Sequence, residues 1–247
     1  MANEGAPRGG PQQRGNDTRR RPFRRERRPV EEHRFNIEEW TPKTAIGNMV
    51  KGKQILNLEQ IFEMGKPITE IEVIDALLGE VESKIIEVAS VQRMTKNSRK
   101  AKYRATVVIG DRRGHVGIGT SKDVEVRPSI DSAKKDAKKK IISINFGCGS
   151  WECSCGTEHS LPLQVKGKCG SSEIILKPAP RGVGIVAGEV AKQVLEMTGI
   201  KDVWSFSRGR TRDRYNIAMA TYRALKQISK LRNIDKLKQS VAQTAKE

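Results

Sequence analysis

The segment Pro178-Ala179-Pro180-Arg181-Gly182-Val183-Gly184-Ile185-Val186-Ala187-Gly188 constrains this chain more than any other. It follows the β-rich run Ser172 to Lys177 and precedes an apolar-periodic segment starting at Glu189, so it predicts a strand, a glycine loop and a helix in succession. Loops of this type cradle phosphates when the glycines read GxGxxG, or when Gly-Lys-Ser or Gly-Lys-Thr follows. Here Gly182, Gly184 and Gly188 read GxGxxxG, one residue too long, an arginine stands at 181, and no such lysine follows. The spacing argues for an αβ unit and against a nucleotide fingerprint.

Charge sets the second constraint. The 247 residues carry a formal net charge of +18, and 36% of them are hydrophobic, enough to supply real cores. With an isoelectric point near 10.0, such a chain repels itself unless its surface faces a polyanion, and nucleic acid is the default partner. A membrane is the rival anion, but the sequence has no apolar run of about 18 residues and no leader-like apolar segment behind its N-terminus. The expectation is a soluble cytoplasmic protein with no membrane partner and no small-molecule substrate.

The charge is unevenly placed. Residues 1–34 hold ten arginines, no lysine and almost nothing to bury, which predicts an Arg-rich arm, disordered alone and ordered on RNA, over 1–39. Short helices follow over 40–80. Thr41 offers a cap with Pro42 at the first helical position, Thr69 and Glu72 spell a capping box, and Gly65 and Gly79 supply stops. Over 81–146, β-rich runs Lys84 to Arg93 and Lys102 to Ile109 are joined by the basic connection Met94 to Ala101. A third run, His115 to Thr120, carries Gly117 and Gly119, as a strand does where another backbone comes close. Ile130, Ala133, Ala137, Ile141 and Ile144 then recur at helical spacing, with Lys134, Lys135, Lys138, Lys139 and Lys140 on the remaining face. Three strands and a basic helix are the order of a double-stranded-RNA-binding module, which reads shape and phosphate.

The second half reads as a separate αβ unit over 161–231, after a Cys-rich linker at 147–160 and before a tail at 232–247. Strands are expected at Leu161 to Val165, Glu173 to Lys177 and Lys201 to Phe206. Helices are expected from Glu189 to Met197 and along Ile217, Ala220, Ala224 and Ile228. Between the last strand and helix lies Arg208-Gly209-Arg210-Thr211-Arg212-Asp213-Arg214, whose alternating arginines suit phosphate contact or a solvated loop.

Several motifs resemble, in order, the fifth universal small-subunit ribosomal protein family in its archaeal form, close to its eukaryotic counterpart, small-subunit protein two. They are Trp40-Thr41-Pro42-Lys43-Thr44, Ile109-Gly110-Asp111 with Gly114 to Gly119, Gly167-Lys168-Cys169-Gly170-Ser171, and Pro178 to Val186. The resemblance covers roughly Trp40 to Leu231. It implies an α+β fold, with a double-stranded-RNA-binding-like βββα domain followed by a βαβα-type domain whose crossover is left-handed. It also implies a non-catalytic place at the body-to-head junction of the small subunit. The partners implied are small-subunit rRNA, the fourth and eighth small-subunit proteins and the nearby messenger entry path, with a share in translational accuracy.

The RNA-contacting positions that follow are Arg93, Lys96, Asn97, Arg99, Lys100, Lys102 and Arg104 in the hairpin. To these the basic patterning adds Arg112 and Arg113 in the next turn, Lys134 and Lys138 on the helix, and Arg208, Arg210 and Arg212 in the arginine loop. Arg181, Gly182, Gly184 and Gly188 are expected to make close contact with RNA or a neighbouring protein. No paired acid and base or activated nucleophile supports an enzyme, and His115, just after a turn glycine, reads as structural.

The four cysteines fall between 148 and 169, too few and too local for a secreted disulfide framework. Cys148, Cys153, Cys155 and His159 offer four zinc ligands within a dozen residues, with Cys169 as a substitute for His159. The paired CxxC knuckles of standard fingers are missing, so two readings stand: reduced thiols in a linker, or a structural zinc with no other cofactor required.

Overall fold

Residues 40–79, 81–153 and 155–229 are described by the computed structural model; the arm expected over 1–39 and the tail expected over 232–247 lie outside them. The first sheet is antiparallel, in the order β1 (Glu82–Met94), β2 (Arg99–Gly110), β3 (His115–Asp123) and β4 (Ile142–Ser143). β2 is buried without alternation from Ala105 to Gly110 because both of its faces are covered. Ala105, Val107 and Ile109 pack against Ala133 and Ala137 of α4 (Val126–Lys139), whereas Val108 looks the other way, into a core shared with the second sheet.

α4 sits almost on the sheet backbone. A Cβ on Gly117 would lie 2.3 Å from the Ala137 carbonyl oxygen, and one on Gly119 2.2 Å from the Ala137 nitrogen, the close approach expected of those glycines. Ser129, fully buried, staples the helix down: its Oγ accepts from Ala105 N (3.2 Å) and donates to Tyr103 O (2.9 Å). The helix stops at Lys139, before Ile141 and Ile144, which the helical spacing includes. They are buried all the same, Ile141 in the collar core and Ile144 in the shared core.

The collar is three short helices, α1 (Ala45–Lys51), α2 (Leu58–Met64) and α3 (Glu72–Leu78), around Trp40, Ile46, Ile61, Val73 and Ile74. Two caps differ from expectation. α1 is capped by Thr44, whose Oγ1 accepts from Gly47 N (3.1 Å), not by Thr41. Thr69 and Glu72 make no capping box: Ile71 is the N-cap and gives no side-chain bond. Glu70 explains the shift, because its Oε1 accepts the backbone N–H groups of Lys43 (2.8 Å) and Thr44 (2.6 Å) and fixes where α1 begins.

In the second sheet the order is β5 (Val165–Cys169), β6 (Ser172–Pro178), β8 (Val203–Arg208), β7 (Ile185–Val186). β7 and β8 are parallel, joined by α5 (Glu189–Thr198), and α6 (Arg214–Ser229) packs over β5 and β6. β5 starts at Val165 and not at Leu161. Ser160 and Leu161 instead exchange backbone bonds with the linker, through Gly147 N to Ser160 O (2.9 Å) and Gly149 N to Leu161 O (3.1 Å). β8 starts at Val203 because the N–H groups of Lys201 and Asp202 both donate to His159 O (3.1 and 3.2 Å). β7, inside the glycine loop, is an addition to the expected strands.

The two sheets share one core. Val108, Val116 and Ile118 meet Leu176, Val194, Leu195, Ala220 and Leu225, each large side chain among them contributing about 1.5–3 kcal/mol when fully buried. Arg112 N to Met197 O (3.0 Å), Gly114 N to Thr198 O (2.9 Å) and Tyr222 Oη to Lys140 O (2.6 Å) pin the halves together.

Candidate nucleic-acid interface and metal centre

β1 and β2 run on past the core as a two-stranded ribbon, so the connection expected over Met94 to Ala101 shrinks to a tight turn, with Thr95 N donating to Ser98 O (2.9 Å). Charged residues in place of alternating apolar ones hide the strand ends, since a ribbon that covers no core shows no hydrophobic period. Lys96 and Asn97 form the exposed tip. Arg93 stands opposite Lys100, Val91 opposite Lys102 and Ala89 opposite Arg104, which puts Arg93, Lys100, Lys102 and Arg104 on one face. Arg99 points to the other face, opposite Met94. Lys122, not singled out from the sequence, pairs with Arg104 across β2 and β3 and extends the same cationic face.

Arg104 is the inner end of that row, half-buried, 3.6 Å from Glu87 and 5.4 Å over the ring of Tyr215 in the first turn of α6. This contact brings a second basic cluster to the foot of the ribbon, because Arg208, which ends β8 opposite Glu173 and is not part of the loop, and Arg210 and Arg212 in the loop just before α6 are all exposed. That loop is itself fixed, Ser172 Oγ donating to Arg210 O (2.6 Å).

Other expected positions are engaged elsewhere. Lys138 pairs with Asp75 and ties α4 to the collar, Lys134 is half-buried, and the exposed lysines of that helix end are Lys135, Lys139 and Lys140, the last held by Asp136 at 2.6 Å. Arg112 reaches Glu82 at 2.7 Å, and Arg113 is exposed. Their turn is built by Asp111, whose Oδ1 accepts from Arg113 N (2.8 Å) and His115 N (3.1 Å), while Oδ2 meets His115 Nδ1 (2.6 Å). Burial pushes the Asp111 carboxyl up, but these hydrogen bonds outweigh it and hold the pKa below the usual carboxylate range. His115 thus has the structural role expected of it.

The glycine loop does cradle an anion, and the anion is its own chain's. Gly182 N (3.0 Å) and Gly184 N (2.8 Å) both donate to Oδ1 of Asp202, so the carboxylate fills the place a phosphate takes in nucleotide loops. Gly182 (φ +93°) and Gly184 (φ +74°) adopt backbone conformations that side chains rarely tolerate, which is why glycine recurs there. Arg181, Val183 and Val186 are left facing solvent. The signal for Asp202 lies in a position remote from the loop in sequence, beyond the reach of local spacing.

The other oxygen of Asp202 reaches the cysteine cluster. Cys148, Cys153, Cys155 and His159 place their donor atoms within 4.8 Å of one another. Cys148 Sγ lies 3.6 Å from Cys155 Sγ, and Cys153 Sγ 3.7 Å from His159 Nε2. His159 is buried, and its Nδ1 bonds Asp202 Oδ2 at 2.8 Å, which leaves Nε2 aimed at the thiols. Cys169 stands apart from the cluster: it ends β5 with its side chain in the core, Sγ 3.7 Å from Asn216 Oδ1.

Crowding splits the thiols. Burial and the neighbouring sulfurs of Cys155 and Cys153 push Cys148 up to about 11. Hydrogen bonds from the hydroxyl and backbone of Thr157 bring Cys155 down to about 6, and the Arg181 backbone N–H lowers Cys153. For His159 burial pushes down, but bonds to Cys153, Cys155 and Asp202 outweigh it and the imidazole is raised. Three sulfurs and an imidazole nitrogen within 4.8 Å of one another are a donor set that suits a single cation.

A shared core, a cationic ribbon clear of that core and a glycine loop filled from within define a basic α+β scaffold that faces a polyanion, of the class found among ribosomal proteins. Residues 81–145 match the family described as ribosomal protein S5, N-terminal domain, and residues 167–238 match ribosomal protein S5, C-terminal domain. The chain is 53% identical over 208 residues to small ribosomal subunit protein uS5 of Methanocaldococcus jannaschii, covering 84% of this chain and 96% of that protein. It is 48% identical over 215 residues to uS5 of Methanococcus maripaludis, covering 87% and 96%, and 48% identical over 191 residues to uS5 of Aeropyrum pernix, covering 77% and 88%. The chain belongs to the S5 family of ribosomal proteins, in its archaeal type. It is a structural constituent of the small ribosomal subunit and not an enzyme. Among the described residues no helix is long and apolar enough to cross a membrane.

Proposed function

We propose that this protein binds small-subunit rRNA through the β1–β2 ribbon and the arginine loop at its foot, and that it helps fix the body-to-head junction beside the messenger entry path. The observation that carries this reading is the ribbon's register: Arg93, Lys100, Lys102 and Arg104 share one face, with Arg93 and Lys100 in direct opposition. Like charges placed opposite each other destabilise a free ribbon. They suit a surface that works against phosphates. Arg113, Lys134, Arg208, Arg210 and Arg212 extend the footprint, Lys138 and Arg112 serve it by holding α4 and the turn in place, and Arg181 with Gly182, Gly184 and Gly188 faces rRNA or the fourth or eighth small-subunit protein. A fixed geometry at that junction is the physical route to translational accuracy.

Salt titration tests the reading. Replacing Lys96, Arg99 and Lys100 together by alanine should flatten the slope of log K against log salt for rRNA binding, by about 0.9 for each duplex phosphate that is no longer neutralised. An unchanged slope would remove the ribbon from the interface.

The cysteine cluster carries a second reading, that of a structural zinc held by Cys148, Cys153, Cys155 and His159. Zinc–sulfur bonds of about 2.3 Å give a tetrahedron with edges of about 3.8 Å. The 3.6 Å between the sulfurs of Cys148 and Cys155 is close to that figure, and the Asp202 carboxylate behind His159 is the usual support for such a ligand. Elemental analysis of the purified chain should find one equivalent of zinc, lost in Cys148→Ser and kept in Cys169→Ser. Less than a tenth of an equivalent in the wild type would end the reading.

A further inference from the structure

We infer that Asp202 couples the metal centre to the glycine loop, so that metal occupancy fixes the conformation in which the segment from Arg181 to Gly188 meets its partner. The inference rests on the zinc reading above. Asp202 is buried, and each of its carboxylate oxygens serves a different structure, Oδ2 the His159 imidazole (2.8 Å) and Oδ1 the amides of Gly182 (3.0 Å) and Gly184 (2.8 Å). Gly182 and Gly184 therefore both donate to the residue that orients a metal ligand.

Packing offers the loop no substitute for those bonds. A Cβ built on Gly182 or Gly184 would meet nothing within 4 Å, so the turn from Arg181 to Gly184 is held mainly by hydrogen bonds, while Ile185 and Ala187 beyond it rest against the shared core. Around Asp202 the backbone is by contrast clamped: Ser160 Oγ donates to Asp202 O (2.5 Å) and accepts from Ala179 N (3.2 Å), and Val203 N donates to Gly184 O (3.1 Å). The Asp202 backbone is thus fixed, and its carboxylate takes its orientation from the groups it bonds on either side. Metal on His159 Nε2 holds the imidazole in the tautomer that donates from Nδ1 to Oδ2. Without metal the imidazole is free to turn, Oδ2 loses its fixed donor, and the loop amides bond a carboxylate that is no longer held in one orientation.

Hydrogen exchange on the full chain, read together with zinc content, tests the coupling. Chelation should speed exchange of the Gly182 and Gly184 amides at least tenfold and leave Val107 to Ile109 in β2 unchanged as a folding control. Cys155→Ser removes a ligand that makes no contact with the loop and should reproduce the chelated pattern. Asp202→Asn should weaken zinc binding about 10- to 100-fold and speed Gly182 and Gly184 even at saturating zinc. A chain that binds one equivalent of zinc but shows the same loop exchange after chelation and in Cys155→Ser would overturn the coupling and leave the zinc reading intact. A chain that binds no zinc would overturn both.

Discussion

Arg93 and Lys100 face each other directly across the β1–β2 ribbon, two cations in register beyond the edge of the core. The arrangement gives the two effects of a substitution opposite signs. Arg93→Thr removes the repulsion and puts a strand-favouring residue in its place, so thermal melts should show the free protein more stable by about 0.5 kcal/mol. The same change takes a cation away from the phosphates, so rRNA affinity should fall and its salt dependence weaken. Lower stability with unchanged affinity would contradict the role given to this pair.

Acid should loosen the turn that Asp111 builds. The carboxylate has a depressed pKa in the folded chain, so its stabilisation is complete above the ordinary value of 3.8 and disappears as pH falls through the lower folded value. Asp111→Ala should therefore be clearly less stable than wild type at pH 7, and the gap should narrow as denaturant melts are taken below about pH 4. A gap that stays constant across that range would mean that the bonds from Arg113 and His115 do not favour the charged form.

Ser129→Ala strips a buried hydroxyl that accepts from Ala105 N and donates to Tyr103 O, and leaves both backbone groups without that partner under α4. Urea unfolding should register a destabilisation of about 1–3 kcal/mol. A value below about 0.5 kcal/mol would show that α4 is held by the approach of Ala137 to Gly117 and Gly119 alone.

The order of strands and helices is legible from period and punctuation because most elements bury a patterned face: Val107 and Ile109 in β2 and Val194 and Leu195 in α5 give themselves away. The ribbon ends are not, since Arg93, Arg99 and Lys100 cover no core and leave no apolar period. The start of α1 escapes local reading because Glu70, from outside that helix, decides it. Ligand residues of the candidate metal centre are visible as a local cluster, but Asp202, which joins that centre to the glycine loop, is an isolated acid in sequence and acquires its meaning only when β8 folds beside His159. The spacing of Gly182 and Gly184 speaks against a nucleotide, and the fold shows why the amides are nonetheless arranged for an anion: they hold the chain's own carboxylate.

The most direct test of the rRNA-binding claim is the retention of this protein on native small subunits as salt is raised. Subunits from cells whose only copy carries alanine at Lys96, Arg99 and Lys100 should be compared with wild type by sedimentation and quantitative protein analysis. Wild-type protein should remain at one copy per subunit through moderate salt, and the triple variant should dissociate at lower salt. Equal retention of the two proteins at every salt concentration would contradict the claim that the ribbon holds this protein to rRNA.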